Sequence, residues 1–321
     1  MEKAISVTVL GAGLMGHGIA QVFARAGHSV VITDPNESVL NVALKKVAAN
    51  LEDEGVDPER VLCNMEIQRD LKTAVTSADL VIEAAPEKLE IKQMLFAEVA
   101  MAAPKHAVLA SNTSVIPITR IGEKLDPLAR SRLVGTHWWN PPHLVPLVEV
   151  IRTIHTSEEV FEKTYEWLLA VGKCPVRVQH DVTGFIGNRL QHALWREAIS
   201  LVEQGVCDAE DIDLVVKNSF GMRMPVLGPM ENADLVGLEL TRDVHRVMFP
   251  DLKCDKSPSP LLDQLIDAGS TGMKANKGLR TWTQEQAQEV HSRLANHLIR
   301  MSKPLIEQNN FPQPTLKETT L

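Results

Sequence analysis

Cysteine is scarce in this chain: four among 321 residues, at Cys63, Cys174, Cys207 and Cys254, in no CxxC pair or other metal-ligand spacing. That scarcity argues against a metal site or a disulfide framework and for reduced thiols in a cytoplasm. Positive charge is also short, with 33 Lys and Arg against 41 Asp and Glu and a net charge of −8. No basic surface therefore marks a nucleic-acid or anionic-membrane partner. No apolar run approaches the ~18 residues that cross a bilayer. Met1-Glu-Lys runs straight into an apolar strand, leaving no room for a signal peptide. There is no internal repeat and no low-complexity segment. What remains, 44% hydrophobic and 23% charged, is the composition of a soluble globular protein long enough for about two domains. The expected compartment is the cytoplasm.

The most informative stretch present is Ser6-Val-Thr-Val-Leu10, followed at once by Gly11-Ala-Gly13-Leu-Met-Gly16. A buried strand turns directly into a glycine-rich helix start. Gly11 permits the tight turn, Gly13 lets backbone approach a pyrophosphate, and Gly16 lets the helix pack closely on the strand. Leu14 and Met15 lie between the last two glycines, at a helix N-terminus whose free N–H groups and positive dipole end favour phosphate. A second apolar strand, Ser29 to Thr33, ends in Asp34, 18 residues after Gly16, near where a ribose-binding acid belongs. A carboxylate there accepts both ribose hydroxyls of NAD and repels the 2′-phosphate of NADP. The expected cofactor is NAD.

Apolar runs and helical patterns alternate through the first 180 or so residues, which predicts an α/β domain with a mostly parallel, Rossmann-type sheet. Further strands are expected at Asp79 to Glu83, Ala107 to Ala110, Arg132 to Thr136, Val145 to Val150 and Pro175 to Val178. Helices are expected at Glu90 to Ala102 and Glu158 to Ala170, with a long polar, helix-prone stretch from Glu37 to Thr76. From Gly184 onward the pattern is nearly all helical, beginning with Ile186 to Val206. The reading is an NAD-binding domain over residues 1–182 and an all-α substrate and dimerisation domain over 183–321. The last helix opens on Thr283 and Gln286 in capping-box spacing. Its apolar stripe, Ala287, Val290, Leu294, Leu298, Met301 and Leu305, packs either on its own domain or on a second subunit.

A bound dinucleotide needs an acid–base pair beside it before chemistry follows. His137 comes directly after one expected strand and Glu149 closes the next, 12 residues later. Antiparallel pairing brings the two side chains into hydrogen-bond contact. A carboxylate on one ring nitrogen fixes the tautomer and makes the other a better base. Oxidising a secondary alcohol requires such a base for the hydroxyl proton.

The segments Ala110-Ser-Asn-Thr-Ser114, His137-Trp-Trp-Asn-Pro141, Leu147-Val-Glu149 and Gly184-Phe-Ile-Gly-Asn-Arg189 follow the nucleotide fingerprint in that order. Together they resemble the 3-hydroxyacyl-CoA dehydrogenase family, from Val7 to about Trp282. The resemblance implies that His137 is the general base and that Glu149 orients it. It implies that Ser114 and Asn188 hydrogen-bond the reacting oxygen, Asn188 from across an interdomain cleft, and that Glu87 and Lys92 lie near the nicotinamide ribose. It also implies a homodimer joined through the helical domain.

Two departures bear on the substrate. The stretch Glu37 to Thr76 is shorter than the helical arm that touches CoA in the acyl-CoA enzymes of fatty acid metabolism. The segment Phe220 to Pro229 is longer and carries Arg223. That form resembles the branch acting on small free acids, such as gulonate 3-dehydrogenase with lambda-crystallin, carnitine dehydrogenase and a pyridine-carboxylate dehydrogenase. An arginine fork suits a free carboxylate, which a thioester lacks. The expectation is oxidation of a small 3-hydroxy acid, with a 3-hydroxyacyl-CoA such as 3-hydroxybutyryl-CoA as the alternative substrate. A non-catalytic, crystallin-like NAD-binding protein is the remote third. Trp138 and Trp139 stand where the family has paired aromatics, and at least one of them belongs to the core.

Overall fold

In the computed structural model, which describes residues 4–308 and side chains through Met301, the buried runs of the first half become one sheet. The chain alternates β1 (Ser6–Leu10), α1 (Leu14–Arg25), β2 (Ser29–Thr33), α2 (Glu37–Leu40), α3 (Ala43–Asp53), α4 (Glu59–Leu62), β3 (Met65–Ile67) and α5 (Leu71–Val75). It continues through β4 (Leu80–Glu83), α6 (Leu89–Ala102), β5 (Val108–Ser111), α7 (Ile118–Ile121), α8 (Pro127–Ser131) and β6 (Leu133–Trp138). Next come β7 (Leu147–Ile151), α9 (Glu158–Ala170) and β8 (Cys174–Val178). The eight strands lie in the order β3-β2-β1-β4-β5-β6-β7-β8. Within this sheet only β6 and β7 pair antiparallel.

Central strands buried on both faces explain the near-continuous apolar runs. Val7, Val9, Ile82, Val134, Trp138, Val148 and Val150 join Ile19, Phe23 and Phe161 in one core. Leu10, Val81, Leu109, Leu133 and Ile151 join Phe96, Val99, Ile118 and Phe185 in the other. Alternation along each strand thus sorts side chains to two faces, and Trp138 goes to the core, stacked in a tilted arrangement 6.1 Å from Phe23.

Two strands differ from the sequence reading. The stretch from Glu37 to Thr76 is not helical throughout, since β3 extends the sheet beyond β2. With only three residues, Met65 and Ile67 half-buried and Glu66 exposed, that strand is too short to show a period. The strand expected to end at Thr136 runs on to Trp138, so His137 lies within β6 rather than after it.

The strand order reverses between β1 and β4, where doubly wound sheets bind ligands. Gly11 turns there at φ +108°, and a Cβ would sit 2.6 Å from the Ala84 carbonyl oxygen. At Gly16 a Cβ would sit 1.8 Å from the Gly11 oxygen. At Gly13 nothing lies within 4 Å, so the space before α1 is open.

Helices α10 (Gly187–Glu203), α11 (Ala209–Asn218), α12 (Pro229–Val236), α13 (Leu238–Met248), α14 (Pro260–Asp267) and α15 (Gln284–Gln308) complete the chain. Contacts divide it into one compact unit of residues 4–188 with the segment from 295, and a second of residues 189–294. The box at the start of α15 forms as expected: Thr283 N–H donates to Gln286 Oε1 and Gln286 N–H to Thr283 Oγ1. The stripe behind it is not buried. Ala287, Val290 and Leu298 are half-buried, Leu294 and Met301 are exposed, and the side chain of Leu305 lies outside the described residues. No described helix is long and apolar enough to cross a membrane.

Close packing at Gly16 yields a test. Gly16→Ala must push the α1 start off the turn at Gly11, and overpacking of this kind costs about 1–3 kcal/mol. The expected result is a Tm lower by several degrees with weakened NADH binding. Unchanged values of both would show that the turn has slack.

Candidate active site

Antiparallel register sets His137 of β6 directly opposite Glu149 of β7. Both side chains point to the sheet face that Phe185 covers. Glu149 Oε2 meets His137 Nδ1 at 2.7 Å, with the histidine 4% and the glutamate 1% exposed. The other carboxylate oxygen, Oε1, accepts the backbone N–H groups of Ile186 (2.8 Å) and Gly187 (3.0 Å). Burial works to raise the Glu149 carboxyl, but the bonds from His137, Gly187 and Ile186 outweigh it and hold the group below the ordinary carboxylate range. An ionised Glu149 is acceptor-only, so Nδ1 of His137 carries the proton and Nε2 is left as the base.

The two N–H groups reach Glu149 because the chain turns sharply just before them. Phe185 is fully buried and left-handed, at φ +51°, which costs a bulky residue of the order of 1–3 kcal/mol. Asp181 anchors the same segment from its other side by accepting Ile118 N–H and Thr119 N–H at the start of α7. Beyond His137, the loop to β7 is held by a buried cation: Lys173 Nζ donates to the carbonyls of Pro142 (2.6 Å) and Val145 (3.0 Å). Burial pushes the Lys173 ammonium down to about 7. Phe185 lies inside the Gly184–Arg189 motif, but nothing there announced its burial or its left-handed backbone, and Asp181 and Lys173 sit among ordinary loop residues.

Ser114 and Asn188 come together in the larger unit. Asn188, in the first turn of α10, donates from Nδ2 to the Ser114 carbonyl at 2.9 Å. It therefore belongs with the dinucleotide-fold unit instead of reaching to it from the other. Asn112 Oδ1 accepts the Trp138 N–H and ties the end of β5 to the end of β6. Glu87 gathers the Ser114 segment by accepting Ser114 N–H, Val115 N–H and the Thr113 hydroxyl.

Lys92, expected near the nicotinamide ribose, is held in an ion-pair cluster with Glu83 and Glu87. It is buried, and its Nζ lies 2.6 Å from Glu83 Oε1 and 3.3 Å from Glu87 Oε2. Glu83, fully buried, also accepts Ala85 N–H and the Ser111 hydroxyl. Lys92 is thus the counterion of a buried carboxylate and at the same time steadies Glu87.

The nucleotide side is assembled where β1 turns into α1. No side chain caps α1, which begins after Gly13 with Leu14, Met15 and Gly16. Asp34 Oδ2 accepts Ala12 N–H at 2.8 Å and Oδ1 accepts Asn36 N–H, which fixes the carboxylate beside the turn with lone pairs to spare. An uncapped helix start, an open Gly13 and a fixed acid fit a dinucleotide. Arg223 lies in the other unit, after the 3-10 turn Phe220–Met222, where its carbonyl accepts Val226 N–H and Leu227 N–H.

Comparison with known proteins agrees with this arrangement. Residues 6–182 match the family model for the NAD binding domain of 3-hydroxyacyl-CoA dehydrogenase, and residues 184–282 match that for its C-terminal domain. The chain is 33% identical over 304 residues to 5-formyl-3-hydroxy-2-methylpyridine 4-carboxylate 5-dehydrogenase of Mesorhizobium japonicum, covering 94% of this chain and 98% of that one. It is 39% identical over 287 residues to the mitochondrial hydroxyacyl-coenzyme A dehydrogenase of Homo sapiens, covering 85% and 89%. A crystal structure of the pyridine-carboxylate enzyme, described as an NAD+-dependent dismutase, superposes with a TM-score of 0.87 at 32% identity, over 94% of this chain and 99% of that one.

The Glu83–Lys92 pair supplies the test here. Lys92→Met strands a buried carboxylate, and breaking such a pair costs about 3–5 kcal/mol. Denaturant unfolding should register that loss. A change under about 1 kcal/mol would mean that Glu83 does not depend on this cation.

Proposed function

This chain belongs to the 3-hydroxyacyl-CoA dehydrogenase family, and we propose that it oxidises the 3-hydroxyl of a small free carboxylic acid with His137 as base. The observation carrying the chemistry is the buried Glu149–His137 pair, which leaves Nε2 of His137 to take the hydroxyl proton. NAD, when bound, supplies the hydride acceptor. As the proton leaves and the hydride departs from C-3, the alcohol becomes a ketone, and charge developing on its oxygen is met by Ser114 and Asn188. One Asn188 amide hydrogen is engaged with Ser114, and the second remains for that oxygen. Asp34 would hold the ribose hydroxyls, Gly11, Gly13, Leu14, Met15 and Gly16 would cradle the pyrophosphate, and Glu87, held by Lys92, would serve the nicotinamide ribose.

The free-acid reading is supported by Arg223, by the short excursion between β2 and β4, and by likeness to an enzyme named for a pyridine carboxylate. The thioester reading is kept because the human relative is named for a hydroxyacyl-coenzyme A. NADH formation decides between them. Arg223 is exposed in the single chain, so the pair must be desolvated by the bound acid. A panel of free 3-hydroxy acids and 3-hydroxyacyl-CoAs should show turnover of acids, with KM raised about 30-fold or more in Arg223→Met, as loss of such a desolvated charge-assisted pair implies. Turnover of 3-hydroxybutyryl-CoA alone, unchanged in Arg223→Met, would overturn the small-acid reading.

The protein acts as a homodimer assembled through the helical unit. Between residues 189 and 294 only Ser200 and Ser270 are buried, while Leu214, Val215, Leu235, Leu238 and Val247 are exposed. A helical unit with no apolar residue buried needs cover, and a second copy supplies it. Light scattering at micromolar concentration should give twice the chain mass, and an active monomer would refute the assembly. The proposed compartment remains the cytoplasm, in keeping with four unpaired cysteines.

A further inference from the structure

Trp138 and Trp139 part company at the end of β6. Trp138 is buried in the core, whereas Trp139 continues the His137 side of the strand and is only half-buried. Its ring centroid lies 5.5 Å from that of His137, tilted 53°. Phe185 lies at the same 5.5 Å, so two aromatic rings border the imidazole. Phe185 is wholly enclosed. Of the two rings, Trp139 is the one that keeps exposed surface.

Gly187 explains how an indole fits there. Its backbone is not left-handed, so conformation does not demand glycine. Space does: a Cβ would stand 2.4 Å from Trp139 Cζ2 and 3.2 Å from Cε2. The bicyclic ring therefore occupies the volume that any side chain at position 187 would need. Its Nε1 is buried without a hydrogen-bond partner, so the ring is seated there at the expense of an unmade bond. A ring kept by shape against its own polar need is a wall.

We propose that Trp139, seated in the notch at Gly187, is a specificity-determining residue that limits the size of the group flanking the carbon oxidised at His137. The inference rests on the reading of His137 as the base. It makes the indole a steric filter against bulky substituents beyond the reacting carbon, with Gly187 as the socket that sets the position of the filter.

Two measurements test it. The first compares kcat/KM for a compact and a bulky substrate, 3-hydroxybutyrate against 3-hydroxy-3-phenylpropionate, or 3-hydroxybutyryl-CoA against 3-hydroxydecanoyl-CoA if the wild type uses thioesters. Trp139→Ala should shift the ratio toward the bulky member by about tenfold or more, the scale of pocket discrimination by size. Trp139→Phe should shift it less. The second is a thermal double-mutant cycle, which needs no substrate. Gly187→Val should lower Tm in the wild-type background and much less in Trp139→Ala, because the clash is with the indole. Additive Tm changes would overturn the socket. An unchanged substrate ratio in Trp139→Ala would overturn the filter, and if His137→Gln is then inactive the base reading still stands. Unchanged ratios together with an active His137→Gln would remove both.

Discussion

One buried carboxylate holds the site together. Glu149 joins three elements: its own strand β7, the neighbouring β6 through His137, and the turn into α10 through two backbone N–H groups. A lone buried carboxylate would take up a proton. These three donors keep it charged instead, and its charge dictates which nitrogen of His137 is free. The left-handed Phe185 is the local strain that brings the two N–H groups into place, and its burial against the second core keeps the turn from relaxing.

The rest of the fold positions that centre against a dinucleotide. Parallel strands deliver Gly11, Asp34 and the Ser114 segment to the same edge of the sheet, where helix starts and chain reversals expose backbone donors. The single antiparallel pair, β6 with β7, places a histidine and a glutamate in register, which a parallel neighbour would reach only by way of a long crossover. Buried ions then fasten the loops. Lys92 with Glu83 and Glu87 secures the segment carrying Ser114, and Lys173 secures the loop after His137.

Much of this was legible in residues alone, because glycine positions, strand alternation and the 12-residue spacing from His137 to Glu149 are written locally. The strand β3 was not, since three residues are too few to carry a period. The resemblance named Lys92 only as a neighbour of the nicotinamide ribose; its burial against Glu83 was not legible, since only the fold brings Glu83 to its ammonium. The roles of Trp138 and Trp139 separated only once β6 was seen to extend past His137, sending adjacent indoles to opposite faces. The stripe on α15 has the period of a buried face, yet Leu294 and Met301 are exposed in the single chain. Periodicity reports that a face is to be covered and is silent on what covers it.

The exchange Glu149→Gln probes the buried carboxylate most directly, because it removes charge while preserving shape. The amide oxygen can keep the Ile186 and Gly187 N–H bonds, which turns its NH2 toward His137 Nδ1. The imidazole must then accept at Nδ1 and carry its proton on Nε2, where the base is needed. Single-turnover NADH formation, measured with NADH affinity and Tm on the same preparation, should fall by about 10²–10⁴ while affinity and Tm stay near wild type. A Glu149→Gln protein that retains more than about a tenth of the wild-type rate would contradict the assignment of His137, set by Glu149, as the base.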